Sequence, residues 1–184
     1  MSDRHSSARR QSVRMAYCGM AAGLSVVIML LGGVIPAATY AVPMLCGLML
    51  LPILLEFDAR SAWITYFVVA ALALILGFDK EAAFFYIFMG YYPIVKWRLD
   101  RIRRKGLRLA AKIGLFTAAI TAMYALLLFV FPIEALREEF AGLGTAMTVV
   151  FVAVHVLSML LYDRLLLPMS LIYVNWIRPK LHLK

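Results

Sequence analysis

The chain has 184 residues, of which 64% are hydrophobic and 16% are charged, and its formal net charge at pH 7 is +9. So few polar residues cannot cover the surface of an ordinary soluble domain, and the composition therefore excludes that class. It indicates an integral membrane protein, which we expect to be one all-α domain over residues 1–184.

Apolar runs along the chain predict where it crosses the membrane. A helix that spans the ~30 Å hydrocarbon layer needs about 20 mostly apolar residues. Runs bounded by charged or turn residues predict a six-helix bundle with spans at 15–33, 36–55, 62–78, 82–97, 109–131 and 143–161. The second run contains Pro43 and Pro52, so its beginning is alternatively a loop that dips into the outer face. Residues 162–184 are expected to form a cytoplasmic or interfacial tail.

The charges are distributed unevenly between the predicted loops. If the basic segment 1–14 is cytoplasmic, almost all lysines and arginines fall on the inner side. The outer side then holds Lys80, Arg137, Asp79, Glu81, Glu134, Glu138 and Glu139. The positive-inside rule therefore predicts that both termini are cytoplasmic and that the protein is a multi-pass protein of the cell membrane.

The net positive charge does not require a nucleic-acid partner. The basic run "KWRLDRIRRKGLRLAAK" suits anionic lipid headgroups and topology anchoring. A basic start before an apolar run is also typical of a signal peptide, but no A-x-A site follows it, and we interpret the run as a retained first helix.

The sequence lacks the motifs of common enzymes. It contains no G-x-x-x-x-G-K-[ST], H-E-x-x-H or G-x-S-x-G motif and no Cys/His cluster, so we expect neither catalysis nor a metal or other cofactor. Ionisable residues within the predicted spans are also scarce, and His155 is the main one. If the protein moves a solute, the energy is expected to come from another subunit.

The first predicted span carries a face of small residues. Gly19 and Gly23 lie four apart on one side of the helix, and Cys18 and Ala22 form an adjacent row. Small residues let helix backbones approach closely in lipid. This face either packs against another helix of the same bundle or contacts a partner.

Taken as a whole, the chain resembles the substrate-binding S component of an energy-coupling factor (ECF) transporter. The resemblance rests on its length, its six predicted spans, its arginine-rich N-terminus, its small-residue motif in the first helix and its lack of a nucleotide site. It implies uptake of a vitamin or other small nutrient, bound from outside and released inward when the subunit topples in the bilayer. It also implies a membrane coupling subunit and two ATPase subunits as partners.

The same resemblance assigns a role to the small residues of the first helix. In this family the coupling subunit docks there, usually on an alanine-x-x-x-alanine motif. The matching positions here are Gly19 and Gly23, or Cys18 and Ala22, and the choice between the two rows stays open.

Candidate ligand-binding residues lie near the predicted outer side. The loop "GGVIPAATYA" contains Tyr40, and the segment "FDKEAAFFYIFMGYYP" contains Asp79, Glu81 and Phe85. Aromatic rings stack flat heterocycles, and carboxylates accept hydrogen bonds from them. Alternatively, these aromatic residues pack against lipid and neighbouring helices, because such residues are enriched at membrane interfaces.

Polar residues on the last two predicted spans complete the candidate site. Tyr124 lies on the fifth span, and Thr148 and His155 lie on the sixth. A buried imidazole needs hydrogen-bond partners, so His155 is either a structural residue or the floor of a pocket.

The sequence leaves two other functions open. The protein is alternatively a structural or regulatory membrane protein that associates through the Gly19/Gly23 face without a ligand. A stand-alone secondary carrier is disfavoured by the scarcity of charges in the membrane.

Overall fold

The computed structural model describes residues 2–33, 38–76, 79–129 and 145–180, with residues 2–8, 128, 129, 145, 146 and 148 described as backbone only. Within these ranges the chain is helical and has no β-strand, so the expected all-α fold is confirmed there. The α-helices are α1 (Ser2–Gly32), α2 (Ala41–Leu48), α3 (Leu50–Glu56), α4 (Ala59–Leu76), α5 (Lys80–Met89), α6 (Tyr92–Leu99), α7 (Lys105–Phe129) and α8 (Thr145–Ile172).

Four helical segments are long and apolar enough to cross a membrane. They are Arg9–Gly32, Ala59–Leu76, Lys105–Leu127 and Val149–Lys180. They correspond to the first, third, fifth and sixth predicted spans, although residues 77–78, 130–131 and 143–144 of those predictions lie outside the described residues. The prediction of six spans is therefore wrong for this structure, which is compatible with a membrane location through four helices.

The second and fourth predicted spans are each divided into two short helices. Proline has no N–H to donate, and its ring collides with the carbonyl four residues earlier. Pro52 stands four residues after Leu48, where α2 ends, and Pro93 stands four residues after Met89, where α5 ends. Residues 36–37 of the second prediction lie outside the described ranges.

Glycine accompanies proline at the break between α5 and α6. A Cβ at Gly90 would lie 2.6 Å from the Tyr86 carbonyl oxygen, so a larger residue does not fit there without a shift. By contrast, α8 continues through Pro168, which has no glycine in the preceding turn. Glycine and proline thus coincide at the break after α5, whereas Pro168 alone does not end α8.

The residues group into two compact units, Met1–Ile94 and Val95–Lys184. In the first unit α1 packs along α4, and α2 packs against α1 and α5. Small buried side chains allow the close approach, among them Ala22, Ala62 and Ala73. The Cys46 thiol donates a hydrogen bond to the Ser25 carbonyl over 3.3 Å, which fastens α2 to α1.

An aromatic cluster covers the break after α5. Trp63 stacks on Tyr91 with ring centroids 5.9 Å apart, and Tyr66 lies 5.5 Å from Tyr86. The Tyr66 hydroxyl donates a hydrogen bond to the Ile87 carbonyl. Carbonyls in the last turn of a helix have no partner in that helix, so Tyr66 satisfies an acceptor left open at the end of α5.

In the second unit α7 packs along α8. The buried face of α7 repeats at helical spacing through Phe116, Ile120, Met123 and Leu127. Helix α8 has 28 residues and is followed by a π-helical turn, Tyr173–Ile177. The helix continues unbroken through residue 162, where the predicted tail begins.

Replacing Tyr66 with Phe is expected to lower the free energy of unfolding by about 0.5–1.5 kcal/mol, because the Ile87 carbonyl loses its donor. The unfolding midpoint in mixed detergent measures this effect. Tyr91→Phe is the matched control, since this tyrosine belongs to the same cluster but its hydroxyl has no hydrogen bond to a described residue. Equal midpoints for the two variants would contradict the assignment.

Candidate functional site

Four of the predicted ligand-binding residues meet at the start of α5. Asp79 precedes the helix and caps it, because its carboxylate accepts a hydrogen bond from the Ala82 N–H over 3.0 Å. The Tyr40 hydroxyl donates to Glu81 Oε1 over 2.6 Å, and the Tyr40 ring packs edge-on against Phe85 at 5.4 Å. We call Tyr40, Asp79, Glu81, Phe85 and Thr39 the α5 cap cluster.

Two parallel hydrogen bonds hold the loop before α2 against α5. Alongside the bond from Tyr40 to Glu81, the Thr39 hydroxyl donates to Asp79 Oδ2 over 2.8 Å. Both carboxylates are half-buried, so solvent reaches them in part. Carboxylate oxygens accept hydrogen bonds, so two neighbouring carboxylates suit the hydrogen-bond donors of a small molecule.

The aromatic residues of α5 are mostly buried. Phe85 is 1% exposed and Phe84 is 7% exposed. These rings therefore pack within the first unit. Tyr40 is the half-buried ring of the α5 cap cluster.

The predicted residues of the later helices form a separate group in the second unit. Tyr124 and His155 are both buried, and their ring centroids are 6.0 Å apart. Phe151 packs on both rings, at 5.3 Å from Tyr124 and 4.2 Å from His155. Nδ1 of His155 is 2.9 Å from the Phe151 carbonyl oxygen, one turn earlier in the same helix. The side chain of Thr148 lies outside the described residues.

The two rows of small residues on α1 have different surroundings. Ala22 is 7% exposed and belongs to the core with α4, and Cys18 packs against that core. Gly19 and Gly23 are exposed, and a Cβ at either position would have no atom within 4 Å apart from its own helix backbone and chain neighbours. The Cys18/Ala22 row therefore serves packing within the chain, whereas the Gly19/Gly23 row remains an open surface of the described structure.

A group of four charges in the second unit was not predicted from the sequence. Lys96 Nζ lies 2.5 Å from Asp163 and 3.0 Å from Asp100, and Lys112 Nζ lies 2.7 Å from Asp163 and 2.6 Å from Asp100. Each lysine thus contacts both aspartates. We call these four residues the ionic ring.

Three of the four residues of the ionic ring are largely buried despite their charges, and Asp100 is half-buried. The side chains of Lys96, Lys112 and Asp163 are 6%, 7% and 12% exposed. Burial raises the pKa of Asp100, but hydrogen bonds from Lys112 and Lys96 outweigh that effect and leave the pKa below its usual range. The carboxylate therefore stays ionised at neutral pH and balances the lysines.

Sequence reasoning missed the ionic ring because it assigned both lysines to lipid anchoring. The available signal was Asp163, an acid with apolar residues on one side in "LLYDRLLL". An acid in such surroundings needs a basic partner on another helix. The sequence did not identify that partner among the many lysines and arginines on the predicted inner side.

Within the described ranges, no group of three or more His, Cys, Asp or Glu side chains is arranged to hold a metal ion. The sequence matches no family model, and neither curated proteins nor solved structures show significant similarity to it.

Replacing Ala22 with Leu is expected to destabilise the protein by about 1–3 kcal/mol, because the added atoms overpack the contact between α1 and α4. Gly19→Leu is the matched comparison on the adjacent row. Its Cβ meets no atom within 4 Å there, and the change should be neutral or slightly stabilising, since leucine favours helix over glycine. The unfolding midpoints of both variants test the assignment of the two rows, and a larger loss for Gly19→Leu would contradict it.

Replacing Asp163 with Asn is expected to destabilise the fold by about 3–5 kcal/mol, because two buried lysines then share a single carboxylate. Arg164→Gln, an exposed charge at the next position, should change stability by less than about 0.5 kcal/mol. Unfolding midpoints measured in parallel decide the point, and equal losses would show that the ionic ring has no structural role.

Proposed function

We propose that this protein is a membrane-embedded substrate-binding subunit of an ATP-driven importer of the ECF type. It captures a small nutrient from outside and depends on a coupling subunit and two ATPases for energy. The observation that carries the proposal is the α5 cap cluster, which joins residues about 40 positions apart through two side-chain hydrogen bonds.

The α5 cap cluster has the chemistry of a ligand site closed by a loop. Its carboxylates, Asp79 and Glu81, are paired with hydroxyls that a ligand's own donors can replace. The Tyr40 ring provides an aromatic surface beside them. A flat, vitamin-like molecule with N–H or O–H donors fits this combination of an aromatic surface and acceptors.

The open glycine face of α1 supports the second part of the proposal. A partner helix can approach Gly19 and Gly23 closely, since no side chain of the described structure occupies that space. Close approach between backbones is how helices associate in lipid, where hydrophobic burial gives little drive. The resemblance to ECF subunits assigns this face to the coupling subunit.

The same glycine face favours a second candidate function, a structural or regulatory membrane protein that associates with another copy and has no ligand. The two candidates differ in what remains bound when the glycine face is blocked. In the transporter the ligand stays bound and the coupling partner is lost, whereas in the structural protein the homodimer is lost.

Native mass spectrometry of the protein purified gently from its host's membranes tests the proposal. The wild type is expected to retain a stoichiometric small molecule together with the coupling and ATPase subunits. Glu81→Gln is expected to lower the amount of bound small molecule about tenfold or more, because a hydrogen bond to a charged group contributes about 1.5–3 kcal/mol. The partner subunits should remain bound to this variant.

Gly23→Leu should lose the partner subunits and keep the small molecule. Gly114→Leu is its control, because Gly114 is also a helical glycine with no atom within 4 Å of an added Cβ, but lies on α7. A ligand-free homodimer that Gly23→Leu disrupts would establish the second candidate instead. A ligand retained undiminished by Glu81→Gln would remove the α5 cap cluster from the site.

A further inference from the structure

A cleft lies at the opposite end of the first unit from the α5 cap cluster. It has a volume of about 480 Å³ and is lined by Arg10, Gln11, Arg14, Glu56, Phe57 and Asp58. This volume is within the ~300–1,000 Å³ range of small-ligand sites. The lining comes from α1, from the last residue of α3 and from the segment that joins α3 to α4.

The cleft carries charges of both signs on opposite walls. Arg10 and Arg14 are one turn apart on α1, so their guanidinium groups lie on the same helix face. Glu56 and Asp58 provide carboxylates on the other wall. These four charges sum to zero, which distinguishes the cleft from an open basic patch that attracts any anion.

The two arginines are held differently. Asp58 fixes Arg14 through an ion pair of 3.2 Å and also accepts a hydrogen bond from the Ser61 N–H at the start of α4. Arg10 forms no ion pair with a described residue. One guanidinium is therefore positioned by the protein, and the other is available to an anionic group in the cleft.

The position of the cleft indicates which ligands reach it. Arg14 directly precedes the apolar run of α1, and Gly32, at the other end of that helix, lies about 27 Å away at 1.5 Å per residue. This length is close to the ~30 Å hydrocarbon thickness. If α1 crosses the membrane, the cleft lies at the level of the lipid headgroups.

We propose that this cleft binds the headgroup of a phospholipid that carries a phosphate and a primary ammonium, as in phosphatidylethanolamine. The phosphate lies between Arg10 and Arg14, because guanidinium groups match phosphate oxygens with paired N–H donors. The ammonium faces Glu56, to which it donates hydrogen bonds. A purely anionic headgroup brings no cation to Glu56, and a quaternary ammonium has no N–H to donate.

Lipid titration of the full-length protein in detergent, followed by native mass spectrometry, tests the proposal. Phosphatidylethanolamine, phosphatidylglycerol and phosphatidylcholine with identical acyl chains serve as probes. We expect phosphatidylethanolamine to bind at least about tenfold more tightly than the other two. Arg10→Gln should weaken this lipid by about tenfold, and Glu56→Gln should remove its advantage over phosphatidylglycerol.

Arg9→Gln is the matched control, because it removes the same charge from the neighbouring position, which does not line the cleft. Unfolding midpoints establish that each variant is folded. Arg10→Gln and Glu56→Gln change different walls of the cleft, so one variant still gives a result if the other does not fold. Equal affinities of the three lipids, or equal losses for Arg9→Gln and Arg10→Gln, would overturn the proposal. If soluble phosphoethanolamine binds as tightly as the lipid, the acyl chains contribute nothing to binding. That result would overturn the proposal that the bound headgroup belongs to a lipid.

Discussion

Every backbone N–H and C=O group needs a hydrogen-bond partner, and this requirement determines where the helices of this protein are interrupted. In hydrocarbon no water supplies the missing hydrogen bond, so a long apolar run must be an uninterrupted helix or be sheltered by other parts of the protein. Pro52 and Pro93 remove donors inside two such runs, and each run becomes two shorter helices. The Tyr66 hydroxyl then donates to the Ile87 carbonyl, which lies in the last turn before the second interruption. These two interruptions set where α2 and α5 end and where α3 and α6 begin.

Buried charge imposes the corresponding constraint on the second unit. An unpaired lysine or aspartate inside a helix bundle costs several kcal/mol, so burial of one charge requires a partner at hydrogen-bond distance. The ionic ring meets this requirement with two cations and two anions, and it joins α6, α7 and α8 at one level. It also changes the count of basic residues available to lipid headgroups on the predicted inner side. Lys96 and Lys112 belong to that count, but they pair with aspartates of the same protein.

The functional proposals place different chemistry at the two ends of α1. Near its C-terminal end the α5 cap cluster offers acceptors and an aromatic ring, which suit a small molecule with hydrogen-bond donors. Near its N-terminal end the cleft of Arg10 and Arg14 offers charges of both signs, which suit a zwitterionic headgroup. The open face of Gly19 and Gly23 lies between the two ends and allows a helix to approach from outside. One long helix thus connects a proposed ligand site, a proposed partner surface and a proposed lipid site.

The sequence by itself predicted the all-helical fold of the described residues, and four of its six predicted spans correspond to long apolar helices compatible with a membrane location, because hydropathy and length act locally along the chain. It also placed Tyr40, Asp79, Glu81 and Phe85 in one candidate site, through an aromatic and acidic segment beside a glycine- and proline-containing loop. Tertiary structure decided which row of small residues on α1 is buried. Cys18 and Gly19 are neighbours in sequence, and the position of α4 determines that Cys18 packs against the core while Gly19 stays exposed. It likewise decided the pairing of Lys96 and Lys112 with Asp163, since residues more than 50 positions apart become partners only when their helices pack.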